Sequence, residues 1–171
     1  MDKEIKNILK LVDENFWYMI DIDGVCIDTE ERIAIIARQL GWKRALETIN
    51  WHEHIYSSRQ INHSLDVLRE VQKNLKRIQL LTTNHSPLEK KEKISFMREQ
   101  GIEIPIVSVP PKVSKALVVP PSFYNRKVVL VDDKEENVID WRNHGGVGIV
   151  FTEQDSSTPK VKSLEFLRYV K

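Results

Sequence analysis

Five short apolar runs, most of them separated by helical patterns, constrain this chain more than any other feature. They are Phe16–Ile22, Arg77–Thr82, Ile106–Val109, Lys127–Val131 and Val147–Phe151. Near-continuous apolar strands alternating with helices of about 10–15 residues predict βαβ units and a parallel sheet covered on both faces. The expected fold class is therefore α/β: a Rossmann-like parallel sheet flanked by helices.

The helical patterns are read from spacing. Ile5, Ile8, Leu9 and Val12 predict a helix over the first fifteen residues. Ile33, Ile36, Ala37 and Leu40 predict another, stopped by Gly41. Ile61, Leu65, Leu68 and Leu75 follow the same period. Ser86-Pro87-Leu88-Glu89 combines a capping hydroxyl, a proline at the first helical position and an acid three residues after the cap, so a helix runs from there to Gly101. A helix after Asp133 reaches about His144, before Gly145-Gly146. Thr158-Pro159 is read as opening a last helix carrying Val161, Leu164 and Leu167. Residues 110–126 hold two Pro-Pro pairs and are expected to be irregular, with a short helix near Val113–Val118. Residues 42–58 show no clear period. The segment 29–75 is longer than one crossover requires. It is expected to form a small helical cap inserted after the first strand, leaving 1–28 and 76–171 as the core.

Composition narrows the function classes. The length of 171 residues suits one domain with a small insert. No run of about 18 apolar residues is present, which excludes a membrane-spanning helix. Lys and Arg number 26 against 25 Asp and Glu, so the net charge is +1. That balance gives no strong sign of nucleic-acid binding and no membrane-binding coat. The single cysteine, Cys26, forms no intrachain disulfide, and the amino-terminal segment lacks the apolar region of a signal peptide. The expected location is a reducing cytoplasm.

In open parallel sheets, ligands bind outside the carboxyl ends of the strands. The residues that end the apolar runs are Asp21 and Asp23, then Thr82, Thr83 and Asn84, then Lys112 and Lys115 after the third run, and Asp132 and Asp133 after the fourth. Asp21 and Asp23 are two apart, so in extended chain they lean to the same side. Carboxylates gathered this closely repel one another unless a cation joins them, and an all-oxygen set with water suits Mg2+. A lysine and a hydroxyl at the same rim suit a phosphate facing that metal.

This order of motifs resembles the haloacid dehalogenase (HAD) superfamily of phosphohydrolases. Met19-Ile20-Asp21-Ile22-Asp23-Gly24-Val25 matches its first motif, Gln79-Leu80-Leu81-Thr82 its second, a lone lysine its third, and Val129-Leu130-Val131-Asp132-Asp133 with Asn137 its fourth. Within the superfamily the chain is most similar to the 5'(3')-deoxyribonucleotidase branch, through Thr82-Thr83-Asn84-His85-Ser86 and through Asp132-Asp133 followed by Asn137 and Trp141. The resemblance implies roles for the matching positions. Asp21 is the nucleophile that becomes a phosphoaspartate, and Asp23 the acid and then the base. Asp21, the Asp23 carbonyl and Asp133 hold Mg2+, supported by Asp132 and Asn137. Thr82, Thr83 and a lysine hold phosphate oxygens. Lys115 is preferred to Lys112 because it lies nearer the next helical segment. Trp42, Trp51 and Tyr56 are the aromatic residues available to face a nucleobase. Asn137 stands where an acid is often found, and it adds no charge.

The implied partner is a small phosphorylated substrate, a nucleoside monophosphate first, with sugar phosphates and nucleic-acid 3'-phosphate ends as alternatives. A phosphoacceptor receiver domain also gathers Asp, Thr and Lys at strand ends, but it carries its acid pair first and its lysine last, the reverse of the order here. An inactive binding module is opposed by the presence of both Asp21 and Asp23. Other residues are read as structural. His52-Glu53-His54 is taken as a surface loop or a cap contact, because residues two apart suit a strand and no third metal ligand is near. Lys90, Lys91 and Lys93 are taken as a solvated helix face. Cys26, Trp17 and Trp141 are expected in the core. The sequence does not set the oligomeric state.

Overall fold

The computed structural model describes residues 3–120, 127–154, 156 and 158–171. In chain order the elements are α1 (Lys3–Ile8), β1 (Trp17–Ile20), β2 (Ile27–Asp28), α2 (Glu30–Leu40), α3 (Trp42–Thr48), α4 (Trp51–Tyr56), β3 (Arg59–Gln60), α5 (Ser64–Val71), β4 (Ile78–Thr83), α6 (Pro87–Glu99) and β5 (Ile106–Val109). A 3-10 turn at Lys115–Val118 precedes β6 (Val128–Asp132), α7 (Glu135–Asn143), β7 (Val147–Phe151) and β8 (Lys160–Val161). A 3-10 segment at Leu164–Tyr169 ends the chain.

Six strands form one sheet in the order β5-β4-β1-β6-β7-β8, and every pairing is parallel. This is the expected Rossmann-like α/β class. The alternation of side chains along each strand serves two cores. Tyr18, Ile20, Leu80, Val129 and Val131 enter one apolar cluster. Met19, Leu81, Val128, Leu130 and Trp141 enter the other, on the opposite face. All five residues of β6 are buried, which is why that strand reads as an unbroken apolar run. Each fully buried Val or Leu there contributes roughly 1.5–3 kcal/mol.

Register fixes the carboxyl rim. Ile20 pairs with Val131, and the Asp21 N–H donates to the Val131 carbonyl at 2.9 Å. The acids that follow β1 therefore lie beside those that end β6. Thr82 pairs with Ser108 on the other flank. Ile27 pairs with Gln60 and Asp28 with Arg59 in a short antiparallel pair, with α2, α3 and α4 between these two strands in the chain. Helix α4 packs on α6, and α5 packs on the terminal 3-10 segment.

The start of α6 follows the sequence signal. The Ser86 hydroxyl accepts from the Glu89 N–H at 3.0 Å, and a Glu89 carboxylate oxygen accepts from the His85 N–H at 2.6 Å. Residues 42–58, which lack a period, fold as α3 and α4, and the Asn50 side chain caps α4 by accepting from the Glu53 N–H. Two expectations are corrected. Helix α1 stops at Ile8 rather than reaching residue 15. The segment after Thr158-Pro159 is not a helix: Lys160 and Val161 form β8 beside Val150 and Phe151, and the 3-10 segment follows. Proline has no N–H to give but its carbonyl still accepts, and the Val150 N–H donates to Pro159. The i, i+3 spacing of Leu164 and Leu167 is shared by 3-10 and α-helices, so the pattern alone does not separate them. The part of the irregular segment at 121–126 lies outside the described residues. Among the described residues, no helix is long and apolar enough to cross a membrane.

Candidate active site

A tight turn follows β1. The Cys26 and Ile27 N–H groups both donate to the Ile22 carbonyl, and the Gly24 N–H donates to Ile27. Gly24 takes φ +71, and a Cβ there would lie 2.1 Å from an Asp133 carboxylate oxygen. Only glycine allows this close approach without displacing Asp133. Asp21 and Asp23 line a cleft of about 660 Å³. Its lining includes Thr83, Lys93, Lys115 and Asn137, together with Ile33, Trp42, Trp51 and His54 from α2, α3 and α4.

Each aspartate meets its own buried lysine. Lys115 Nζ lies 2.6 Å from Asp21 and 2.7 Å from Asp132. Lys93 Nζ lies 2.6 Å from Asp23 and 2.7 Å from Glu89. Of Lys112 and Lys115, Lys115 reaches Asp21 and Asp132, whereas Lys112 is exposed and lines the cleft. Asp21 also accepts the Ile22 N–H at 2.8 Å. Asp23 accepts from the Thr29 hydroxyl at 2.8 Å and from the Thr82 hydroxyl at 2.9 Å. The Thr82 hydroxyl is therefore turned to Asp23, while Thr83 lines the cleft.

Asp132 is held at both oxygens by protein donors. It accepts from Lys115, from the Lys134 N–H, and at both oxygens from the Asn137 amide. Asp133 is not: its Oδ1 is buried with no partner. Burial first, then the neighbouring Asp132 and Glu30 charges, push its carboxyl up to about 7. Burial likewise pushes Asp21 well up, against the opposing pull of Lys115. Burial also acts to raise Asp23, but Lys93 and the hydrogen bonds from Lys93, Thr29 and Thr82 outweigh it and hold the carboxyl below its ordinary value. For Lys115, burial opposes the charge but the Asp21 and Asp132 carboxylates prevail, so the ammonium is stabilised.

This donor set fits a divalent cation. Asp21, Asp132 and Asp133 each offer a carboxylate oxygen within 4.8 Å of the others. Five carboxylates, those of Asp21, Asp23, Glu89, Asp132 and Asp133, gather around the ammonium groups of Lys93 and Lys115, with Lys134 near Asp21 and Asp133 but paired to Glu30. A hard cation with oxygen ligands would relieve both the charge excess and the orphaned Asp133 oxygen.

Lys93 corrects the sequence reading. It is 2% exposed, not part of a solvated face. Its signal was positional: it stands four after Glu89 and three and four before Phe96 and Met97, all buried on α6. His54 is also buried and sits on α4, so of the two expectations, a surface loop or a cap contact, the surface loop is corrected. Trp42 and Trp51 line the cleft. Tyr56 instead packs edge-on against Phe96 and donates to Glu99. Cys26 and Trp141 are buried as expected, while Trp17 is half-buried.

Solved structures share this fold at low identity. A hydrolase from Pseudomonas syringae superposes with a TM-score of 0.58 at 11% identity, over 91% of this chain and 90% of that one. A protein described as a candidate beta-phosphoglucomutase from Thermotoga maritima gives 0.52 at 17% identity, over 90% and 97%. Another so described, from Bacteroides vulgatus, gives 0.53 at 13% identity, over 98% and 96%. No protein-family model and no curated protein matches the chain.

Proposed function

We propose that this protein is a phosphomonoesterase that works through a phosphoaspartate on Asp21. The observation that carries the reading is the division of labour at the end of β1. Asp21 and Asp23 each sit against a separate buried lysine, Lys115 and Lys93, beside a carboxylate oxygen of Asp133 that has no partner in the protein.

In this reading an Asp21 oxygen attacks phosphorus, and the bond from phosphorus to the ester oxygen breaks. Asp23 gives a proton to the departing oxygen. Asp23 takes up that proton as the substrate arrives, because a phosphate dianion nearby disfavours its charged form. Asp23 then removes a proton from water, whose oxygen attacks phosphorus. The bond to Asp21 breaks and inorganic phosphate leaves. Lys115 and Thr83 take phosphate oxygens, and Thr82 holds Asp23 in place. Asp21, Asp133 and the Asp23 carbonyl would hold Mg2+, with Asp132 and Asn137 behind them. Bound there, the ion supplies Lewis-acid neutralisation of the phosphoryl oxygens.

The inserted segment 29–75 serves as the cap that faces the substrate. Trp42 and Trp51 in the cleft wall support a nucleoside monophosphate, whose base offers a flat apolar face. Sugar phosphate is the second reading, supported by the two neighbours described as beta-phosphoglucomutases. A panel of dUMP, sugar phosphates and 3'-phosphorylated oligonucleotides, each with Mg2+ and with EDTA, tests the proposal. Mg2+-dependent release of phosphate, greatest from dUMP, is expected. No release from any ester would overturn the reading.

A further inference from the structure

Four lysines line the cleft: Lys93, Lys112, Lys115 and Lys134. Three of them are paired with carboxylates: Lys93 with Asp23 and Glu89, Lys115 with Asp21 and Asp132, and Lys134 with Glu30 at 2.7 Å. Among the described residues, Lys112 has no carboxylate partner. It is the cleft lysine whose charge the protein leaves unmatched.

The segment that carries Lys112 is built to hold it there. Its φ is +66, in the left-handed region that residues with a Cβ seldom occupy. Pro110 and Pro111 precede it, and each ring fixes its own φ. The Val113 N–H closes a turn on the Pro110 carbonyl at 3.2 Å. Beyond the turn, the Ser114 hydroxyl accepts from the Ala116 N–H at 3.0 Å and donates to Asp140 on α7. A glycine at 112 would adopt this backbone at less cost, so the lysine is retained against a local preference.

The position also limits what the ammonium can meet. Lys112 stands three residues before Lys115, whose Nζ touches Asp21. Three residues span at most about 11 Å, so the two lysines serve neighbouring parts of one small ligand. Glu136 and Asp140 line the same cleft and repel a second anion. Asp140 takes the Ser114 hydroxyl, and neither acid pairs with Lys112 among the described residues. Lys112 is therefore where a further negative charge would be held.

We propose that Lys112 is a specificity residue that receives a second anionic group of the substrate, beside the phosphoryl group that Asp21 takes. The inference rests on the phosphomonoesterase reading above. Among esters built on one scaffold, Lys112 favours the one with a further phosphate, phosphodiester or carboxylate. A compact point charge on a flexible stem accepts all three. The contact lies away from the bonds that change, so it strengthens ground state and transition state alike and acts on KM.

The test compares matched pairs of esters: dUMP with 2'-deoxyuridine 3',5'-bisphosphate, dUMP with its 3'-methyl phosphodiester, and glycerol 3-phosphate with 3-phosphoglycerate. In at least one pair the more anionic member is expected to have a KM about three- to tenfold lower. The pair that shows it identifies the anion. Lys112→Gln should erase the difference, leave KM for the plain member unchanged and hold kcat within about twofold. Lys112→Arg should keep most of the difference, Lys112→Glu should reverse it, and added salt should shrink it. Lys112→Gly should lose the same selectivity while melting no lower than the wild type. If no pair differs in the wild type, or if Lys112→Gln leaves the difference intact or raises KM equally for both members, the assignment is overturned while the phosphomonoesterase reading stands. A wild-type protein inactive on every ester would overturn that reading and this inference with it.

Discussion

Lys93 Nζ sits 2.6 Å from Asp23 Oδ2 across 70 positions of sequence. The same ammonium also donates to Glu89, to the Thr82 hydroxyl and to the Thr83 carbonyl. It therefore joins α6 to the end of β4 and to the turn after β1. Without it, two carboxylates would face each other in a buried site.

That pairing predicts a large stability effect. Lys93→Met leaves Asp23 and the buried Glu89 uncompensated, a change that costs about 3–5 kcal/mol when one partner of a buried ion pair is removed. Adding Glu89→Gln should recover part of the loss. Urea unfolding of the single and double variants measures both. A Lys93→Met protein as stable as the wild type would contradict the pairing.

Asp133 links stability to pH and to metal. Its carboxyl is raised from 3.8 to about 7, so between those values the folded state binds more protons than the unfolded state. The stability this group contributes is present at low pH and is lost as pH rises toward 7. A cation competes with that proton. Mg2+ should therefore raise the thermal midpoint more at pH 8 than at pH 5.5. At 100 times Kd the gain is about 2.7 kcal/mol. Asp133→Asn should abolish most of it, and thermal melts with Mg2+ or EDTA at the two pH values check this.

Gly24 has no room for a side chain. A Cβ at φ +71 would both strain the backbone and strike Asp133. Gly24→Ala is expected to destabilise by at least about 1–2 kcal/mol from the left-handed backbone alone. It should also weaken Mg2+ binding, because Asp133 must move. Calorimetric titration of Mg2+ into the variant tests the second effect separately from the first.

Trp42 is 58% exposed yet lines the cleft. Trp42→Ala should leave stability within about 0.5 kcal/mol, as surface substitutions do. Stacking on a base is worth about 1–3 kcal/mol, so KM for dUMP should rise roughly tenfold or more while KM for a small sugar phosphate changes little. Equal changes for both would favour the sugar phosphate reading.

The sheet was legible because its strands are buried on both faces and so leave unbroken apolar runs. Val128–Asp132 is the clearest case. β8 was not, since two residues carry no period, and it is defined only by its pairing with Val150 and Phe151. The rim acids were legible for a related reason: Asp21 and Asp132 interrupt apolar runs at points that a parallel register brings together. The residues that govern them were hidden. Lys93 stands among other lysines, and its burial depends on the tertiary contact between α6 and the turn after β1. Thr29 gains meaning only from the bond of its hydroxyl to Asp23, two groups that no spacing rule brings together.

The most direct test of the central claim is to look for phosphorus on Asp21. The protein is mixed with a small phosphate ester and Mg2+, quenched in acid during turnover, digested and weighed by mass spectrometry. The peptide containing Asp21 is expected to carry one added phosphoryl group, lost on treatment with hydroxylamine, and Asp21→Asn should show neither the adduct nor turnover. Steady hydrolysis with no adduct on that peptide, or with Asp21→Asn still active, would contradict the account.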